Sequence, residues 1–279
     1  MATQTPPSLL VAPDPAAPGL TAAMTARDEH GAAVALRVIE ERPLTIYLNS
    51  REVVTAMTVG DHPEWLALGF LQNQGMLPAD MAVTGVEHDA ELGVVVVRTA
   101  RETDHEAKLA RATRTSGCAV GTVFGDMMEG LDGLRLPAAT LRVSDLLALS
   151  HAIARTPSLY LDAGAVHGTC LCHGAAPLAY FEDVGRHNAV DKLAGWMRAT
   201  GTGGADKVLY TTGRLTSEMV IKCALMGIPV LVSRSGFTAW GVRIAREVGL
   251  TVVGRLKGAR FLCVAGAERL LRDAAEAAE

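Results

Sequence analysis

The run Ala179-Tyr-Phe-Glu-Asp-Val-Gly-Arg-His-Asn-Ala-Val-Asp-Lys-Leu-Ala-Gly-Trp196 decides how the chain is read. Ala179 to Phe181 read as the end of a strand. Gly185 permits a sharp turn, and Asp183 is a candidate cap for the helix that follows. Val190, Leu193, Ala194 and Met197 then recur at helical spacing and form a face that packs on a sheet. His187 and Asp191 lie one turn apart, as do Asn188 and Lys192, which reads as two pairs on the helix surface. A strand, a glycine turn and a helix loaded with Arg, His, Asn, Asp and Lys is the geometry of a site at the end of a strand.

Working outward, the second half alternates strand and helix. Strands are expected at 158–162, 166–171, 176–182, 207–212, 228–232, 251–255 and 261–265. Helices are expected at 186–199, 215–226 and 238–248. This pattern predicts βαβ units and a mainly parallel sheet. Two further turns share the character of the first: Thr211-Thr-Gly-Arg-Leu-Thr-Ser-Glu218 and Ser233-Arg-Ser-Gly-Phe-Thr238. Each brings a Gly and an Arg to the start of a helix, where backbone N–H groups and the helix dipole favour an anion. Gathered at one sheet edge, Arg186, His187, Thr212, Gly213, Arg214, Ser233 and Arg234 point to a phosphate or pyrophosphate ligand. The hairpin Arg255-Leu256-Lys257-Gly258-Ala259-Arg260 adds three cations that close over an anion if they reach the same edge. His167 is the better candidate for a donor or proton shuttle in its own segment.

Upstream, residues 1–24 are rich in Pro, Ala and Thr and read as a disordered tail. Residues 25–140 read as an α+β region, and 141–279 as the α/β part. Val34–Glu40 and Leu44–Asn49 look like a hairpin around Pro43, followed by a strand at 53–59. Pro63 opens a helix with Asp61 as its cap. Strands at 83–88 and 94–99 form a pair, and Ser144 caps a helix at 145–155. Arg111-Ala-Thr-Arg-Thr-Ser-Gly-Cys-Ala-Val-Gly-Thr122 is a polar, Gly-punctuated loop. Cys118 lies in it with Arg111 and Arg114 close in sequence, an electropositive setting that makes a thiol nucleophilic.

The 279 residues are 49% hydrophobic with a formal net charge of −4, which gives a sizeable core and no field for nucleic acid or an anionic membrane. No apolar run reaches the ~20 residues that span a bilayer, and the N-terminus does not read as a secretory signal. Five cysteines without framework spacing fit free thiols in a reducing cytoplasm. His167, Cys170, Cys172 and His173 are metal-ligand types, but their spacing matches no common zinc pattern, so no metal site is expected.

Glu182-Asp-Val-Gly-Arg-His-Asn-Ala-Val-Asp-Lys192, Val166-His167, Thr212-Gly-Arg214, Glu218-Met-Val220, Gly227-Ile-Pro229 and the Cys118 loop together resemble the formate dehydrogenase accessory sulfurtransferase family (FdhD), over about residues 34–265. The resemblance implies a cytidine deaminase-like helix–sheet–helix sandwich without its zinc. It implies a cytoplasmic homodimer that takes persulfide sulfur from a cysteine desulfurase. The sulfur passes to the molybdenum (or tungsten) bis-guanine-dinucleotide cofactor of formate dehydrogenase, a bound substrate that GDP would mimic. Cys118 stands where the family's persulfide cysteine stands, and Arg255–Arg260 where the family contacts the guanine-nucleotide end. Many members carry Cys-x-x-Cys in the loop. Here the run is Cys118-Ala-Val-Gly121, so no disulfide forms within it. A non-catalytic escort that binds the same cofactor is the alternative, and a nucleotide-modifying enzyme lacking the zinc ligands is the third.

Overall fold

The structure is a computed structural model and describes residues 9–78, 80–101 and 124–273. Its largest sheet has six strands in the order β13-β12-β11-β10-β8-β9. These are β8 (His167–His173), β9 (Ala176–Asp183), β10 (Val208–Thr211), β11 (Val230–Ser233), β12 (Thr251–Lys257) and β13 (Arg260–Ala265). The expectation of a mainly parallel sheet is corrected. Only β10–β11 and β11–β12 are parallel, and the other three pairings are antiparallel. β8–β9 and β12–β13 are joined by tight turns, which can only reverse the chain, and the helical crossover after β9 brings β10 back parallel to β9 and so antiparallel to β8.

Alternation along these strands sorts side chains to two faces. Leu171, Phe181, Leu209, Leu231 and Val252 pack with helices α5 (Arg186–Thr200), α6 (Ser217–Leu225) and α7 (Ala239–Val248). Cys170, Tyr180, Tyr210, Val232 and Val253 face the other way, onto Leu146, Leu149 and Ile153 of α3 (Val143–Arg155). The sheet is thus covered on both sides.

A second sheet of four strands, ordered β4-β3-β6-β5, lies before residue 100. It comprises β3 (Arg42–Leu48), β4 (Arg51–Thr58), β5 (Val83–Asp89) and β6 (Val94–Thr99), and it packs on α1 (Pro63–Asn73). Helix α1 then crosses α5 at two glycines. A Cβ on Gly69 would lie 1.8 Å from the Asp191 carbonyl oxygen, and one on Gly195 would lie 1.9 Å from that of Trp65. Only glycine lets the two backbones come this close.

Several local readings change. Residues 9–24 are not a free tail: Leu10 N–H donates to the Leu178 carbonyl at 2.8 Å, and Thr21 starts β1 (Thr21–Arg27). Strand β2 (Ala33–Ile39) pairs with β1, not across Pro43 with β3. Residues 158–162 are not a strand. Ser158 caps the short helix α4 (Leu159–Ala163), its Oγ accepting the Leu161 N–H at 3.3 Å. Asp61 does not cap α1, where His62 takes the N-cap position with φ of 49° and Pro63 follows as expected. Ser144 does not cap α3; its hydroxyl donates to Asp273 at 2.7 Å. The short helix α2 (Phe124–Glu129), a 3-10 turn (Ala267–Arg269) and strands β7 (Leu141–Arg142) and β14 (Leu270–Leu271) complete the described elements.

Candidate functional site

One edge of the six-stranded sheet collects the turns singled out in the sequence. Thr211 and Ser233 are register partners at the ends of β10 and β11. His167, at the start of β8, is opposite Asp183, at the end of β9. Because β8 runs antiparallel to β10, the end of β9, the start of β8 and the ends of β10 and β11 share that edge. The β12–β13 hairpin emerges there too, since β12 runs parallel to β11.

The turns are bound to one another. Ser233 Oγ donates to the Gly213 carbonyl at 2.6 Å and accepts the Ser235 N–H at 2.9 Å. Thr212 Oγ1 accepts the Gly168 N–H at 3.0 Å and lies 3.3 Å from His167 Nδ1. Leu215 N–H reaches the Gly236 carbonyl at 2.8 Å, and Arg255 N–H the Ser235 carbonyl at 2.8 Å. Gly213 is packed so tightly that a Cβ there would meet the Arg186 side chain at 2.8 Å. A surface stitched this way is preorganised: a ligand does not have to order it on binding.

The charge on this edge is positive. Arg214, Arg234, Arg255, Lys257 and Arg260 are exposed, and no carboxylate pairs with them among the described residues. Arg234 lies 5.8 Å from the Tyr160 ring and Arg255 5.8 Å from the Phe237 ring, so flat rings steer both guanidinium groups. Arg255 holds a left-handed backbone, with φ of 56°, a conformation uncommon outside glycine. Forked guanidinium donors and turn N–H groups suit phosphate oxygens. Two predicted contacts are used differently. Leu256 is buried in the core at 2% exposure, and Ser233 is fully buried as the clamp between two turns.

His187 links the edge to the interior. Its Nδ1 lies 2.9 Å from Glu218 Oε1, which joins the starts of α5 and α6. Burial pulls its pKa below the ordinary histidine value, against the opposing pull of Glu218. His167 is also lowered, first by burial and then by Arg186 and Arg214.

The rest of the central motif is interior, and the predicted surface pairs are corrected. Lys192 is fully buried and reaches Asp183 at 2.5 Å, the Glu182 carbonyl at 2.9 Å and Asp61. Burial lowers its pKa, but Asp183 and Asp61 outweigh that and hold it above the ordinary lysine value. Thr58 also donates to Asp183, at 2.5 Å, so Asp183 ties the two sheets together and is not the helix cap; Gly185 holds that position. Asp191 accepts from Lys222 at 2.7 and 2.9 Å and from Asn73 at 2.6 Å. Asn188 donates to the Met57 carbonyl at 2.7 Å. Glu218 and Tyr160 were not read as partners. Glu218 has a signal in its place in the first turn of the expected helix 215–226, whereas Tyr160 falls in the expected strand 158–162.

Cys170 and Cys172 are buried with Sγ atoms 3.6 Å apart, and exposed His173 faces Asp206 at 3.3 Å. Cys118, Arg111 and Arg114 lie outside the described residues. Among the described residues, no helix is long and apolar enough to cross a membrane.

The model of the FdhD/NarQ family matches residues 39–271. The chain belongs to the FdhD/NarQ family. A Bacillus subtilis (strain 168) protein named sulfur carrier protein FdhD is 29% identical over 237 residues, covering 84% of this chain and 90% of that protein. A Chromobacterium violaceum protein of the same name is 31% identical, covering 81% and 87%. A crystal structure from Desulfotalea psychrophila, described as a formate dehydrogenase accessory protein, superposes with a TM-score of 0.73. It is 26% identical and covers 90% of this chain and 98% of its own. The cationic edge and the buried Lys192 seam are therefore features of an FdhD/NarQ chain.

Proposed function

We propose that the protein is a sulfur carrier for formate dehydrogenase. It accepts sulfur from a cysteine desulfurase as a persulfide on Cys118. It then passes the sulfur to a molybdenum or tungsten bis-guanine-dinucleotide cofactor, which is cargo and not a resident group. The reading rests on family membership, on relatives named sulfur carrier protein FdhD and on a solved structure described as a formate dehydrogenase accessory protein. The observation that carries it here is the edge itself: exposed Arg214, Arg234, Arg255 and Arg260 around hydroxyl-rich turns. A cargo with two pyrophosphates needs such a surface at its nucleotide ends.

In the first step the Cys118 thiolate attacks the outer sulfur of the desulfurase persulfide. An S–S bond forms at Cys118, and the desulfurase cysteine leaves as a thiolate. In the second step that new bond breaks. The Cys118 thiolate leaves with the electron pair of that bond, and the outer sulfur reaches the cargo at the sulfane level, where two electrons from the cargo's reduced metal take it to sulfide. Arg111 and Arg114 favour the thiolate in both steps. The protein is read as a cytoplasmic homodimer. Three helices on one face of the mixed sheet and one on the other support a cytidine deaminase-like plan.

Incubation with a cysteine desulfurase and cysteine should add one sulfur mass to the peptide containing Cys118. Equal labelling of a Cys118→Ala protein overturns the reading. A second reading, a non-catalytic cofactor escort, is favoured by Gly121, which stands where the family resemblance implies a second cysteine. In that case Cys118→Ala still supports active formate dehydrogenase in cells, while charge reversal at Arg214 or Arg260 does not.

A further inference from the structure

Strands β1 and β2 form a two-stranded ribbon in unbroken register, from Thr21 opposite Ile39 to Arg27 opposite Ala33. Residues paired across an antiparallel ladder share a face, and successive pairs alternate between faces. The odd-numbered face is turned to the body of the protein. Ile39 packs with the cluster of Leu20, Val59, Leu159 and Val166, and Arg37 Nη1 meets Asp162 of α4 at 2.8 Å.

The even-numbered face is turned away. It consists of Ala22, Met24, Ala26, Val34, Leu36 and Val38, and no polar side chain interrupts it. Met24 is 54% exposed, Val34 44% and Leu36 38%. A two-stranded ribbon is marginally stable unless its apolar face is covered. A contiguous apolar surface of this kind marks a place where something docks.

Composition and charge narrow the occupant. Interfaces with transient partners are about as polar as ordinary surface and are anchored by Tyr, Trp and Arg, whereas permanent interfaces between identical subunits are more apolar. An uninterrupted aliphatic face is of the second kind. The ends of the ribbon carry opposite charges. At its tip Arg27 is exposed and donates to the Gly31 carbonyl at 2.8 Å; at its base Glu40 and Glu41 are exposed. None of the three has an ion-pair partner among the described residues. A two-fold axis across the ribbon lays one face on the other with tip over base. Arg27 of each copy then stands against Glu40 and Glu41 of the other.

We propose that the even-numbered face of the β1–β2 ribbon is the contact between two copies of this chain. The inference rests on the homodimer reading and assigns the surface that reading lacks. Two strands of this length present roughly 250 Å² on one face. Two such faces fall short of the ~1,200 Å² that a stable interface buries in total. The contact therefore continues past the base of the ribbon onto α4, where Tyr160 is 43% and Leu161 59% exposed.

The test is the solution mass of the full-length protein, measured by size-exclusion chromatography with light scattering over a range of concentrations. The wild type should run at twice 29.3 kDa. Met24→Asp combined with Leu36→Asp puts carboxylates into the joined faces and should raise the dissociation constant at least about a hundredfold, leaving a monomer. Both side chains are exposed within one copy, so the far-UV circular dichroism spectrum should not change. Arg27→Glu keeps the test decisive if that variant does not fold. It should weaken the dimer severalfold, and adding Glu40→Lys and Glu41→Lys should restore it. A wild type that is monomeric at every concentration overturns both the proposal and the homodimer reading, and leaves the face to a different protein. A dimer that Met24→Asp with Leu36→Asp leaves intact, or that Arg27→Glu leaves undiminished, overturns the proposal alone, because the two copies then meet elsewhere. Persulfide labelling of Cys118 should be the same in all variants, so the sulfur-carrier reading stands or falls separately.

Discussion

The seam between the two sheets and the cationic edge meet in the run Glu182–Lys192, which gives Asp183, Asp191 and Lys192 to the first and Arg186 and His187 to the second, and they use charge in opposite ways. In the seam, Lys192, Lys222, Asp183 and Asp191 are each 1% exposed or less and matched atom for atom. At the edge, Arg214, Arg234 and Arg255 are exposed and face no carboxylate among the described residues. A buried ion pair gains little over a well-packed apolar pair, but removing one partner strands the other charge in a dry interior. An exposed cation costs the fold almost nothing and leaves a field for a ligand. Substitutions in the seam should therefore change stability and spare ligand binding; substitutions at the edge should do the reverse.

The strongest way to break that division is Lys192→Met. It strands Asp183 and Asp61, and urea unfolding should show a loss of about 3–5 kcal/mol. A loss below about 1 kcal/mol means the seam does not hold the two sheets together. Next comes Gly195→Ala, which drives a methyl group toward the Trp65 carbonyl at 1.9 Å. It should lower stability by about 1–3 kcal/mol or more, read as a fall in thermal midpoint of several degrees. In both variants the fraction that remains folded should still respond to GDP.

The edge should behave otherwise. GDP at a hundred times its Kd should stabilise the wild type by about 2.7 kcal/mol, or roughly 5–10 °C. Arg214→Glu or Arg234→Glu should weaken GDP about tenfold by replacing a charge-assisted contact with a repulsive one. Neither should move the thermal midpoint without ligand. If GDP at millimolar concentration shifts nothing, the edge is not a nucleotide site.

The sequence showed the edge more clearly than the seam, for a physical reason. The turns at Gly185, Gly213 and Gly236 and the apolar face of α5 are local patterns. Helical period and glycine placement reveal them within a dozen residues. The partners of Lys192 and Asp191 are long-range. Asp61 and Asn73 are more than a hundred residues away, so spacing within the helix suggested pairs that burial rules out. Residues 158–162 misled because Leu-Tyr-Leu has the composition of a strand. What sets them as a helix is Ser158 at one end and the Glu182 carboxylate, which accepts the Leu159 and Tyr160 N–H groups at 2.6 and 3.1 Å. Strand β1 was hidden by the composition of the segment before it. Alternation of Ala22, Met24 and Ala26 with Thr25 and Arg27 is visible only once its partner β2 is known.

The smallest effect tests where the two regions meet. Burial lowers the pKa of His62, His167 and His187 below the ordinary value of 6.5. The unfolded chain therefore binds more protons than the folded one just below pH 6.5. Stability is fully present above that value and falls as acid carries the solution down through the depressed folded-state values, by at most about 1.4 kcal/mol per pH unit for each histidine. Thermal midpoints should be level between pH 7 and 8 and decline from 6.5 toward 5. His187→Gln should flatten part of that slope. His167 adds a twist, because it stands on the edge beside Arg186 and Arg214. Once protonated it contributes another cation to a ligand's phosphates, so GDP affinity should rise over the same range in which the unliganded fold weakens. A parallel fall of both would mean that the edge and the interior titrate as one unit, and the division between them fails.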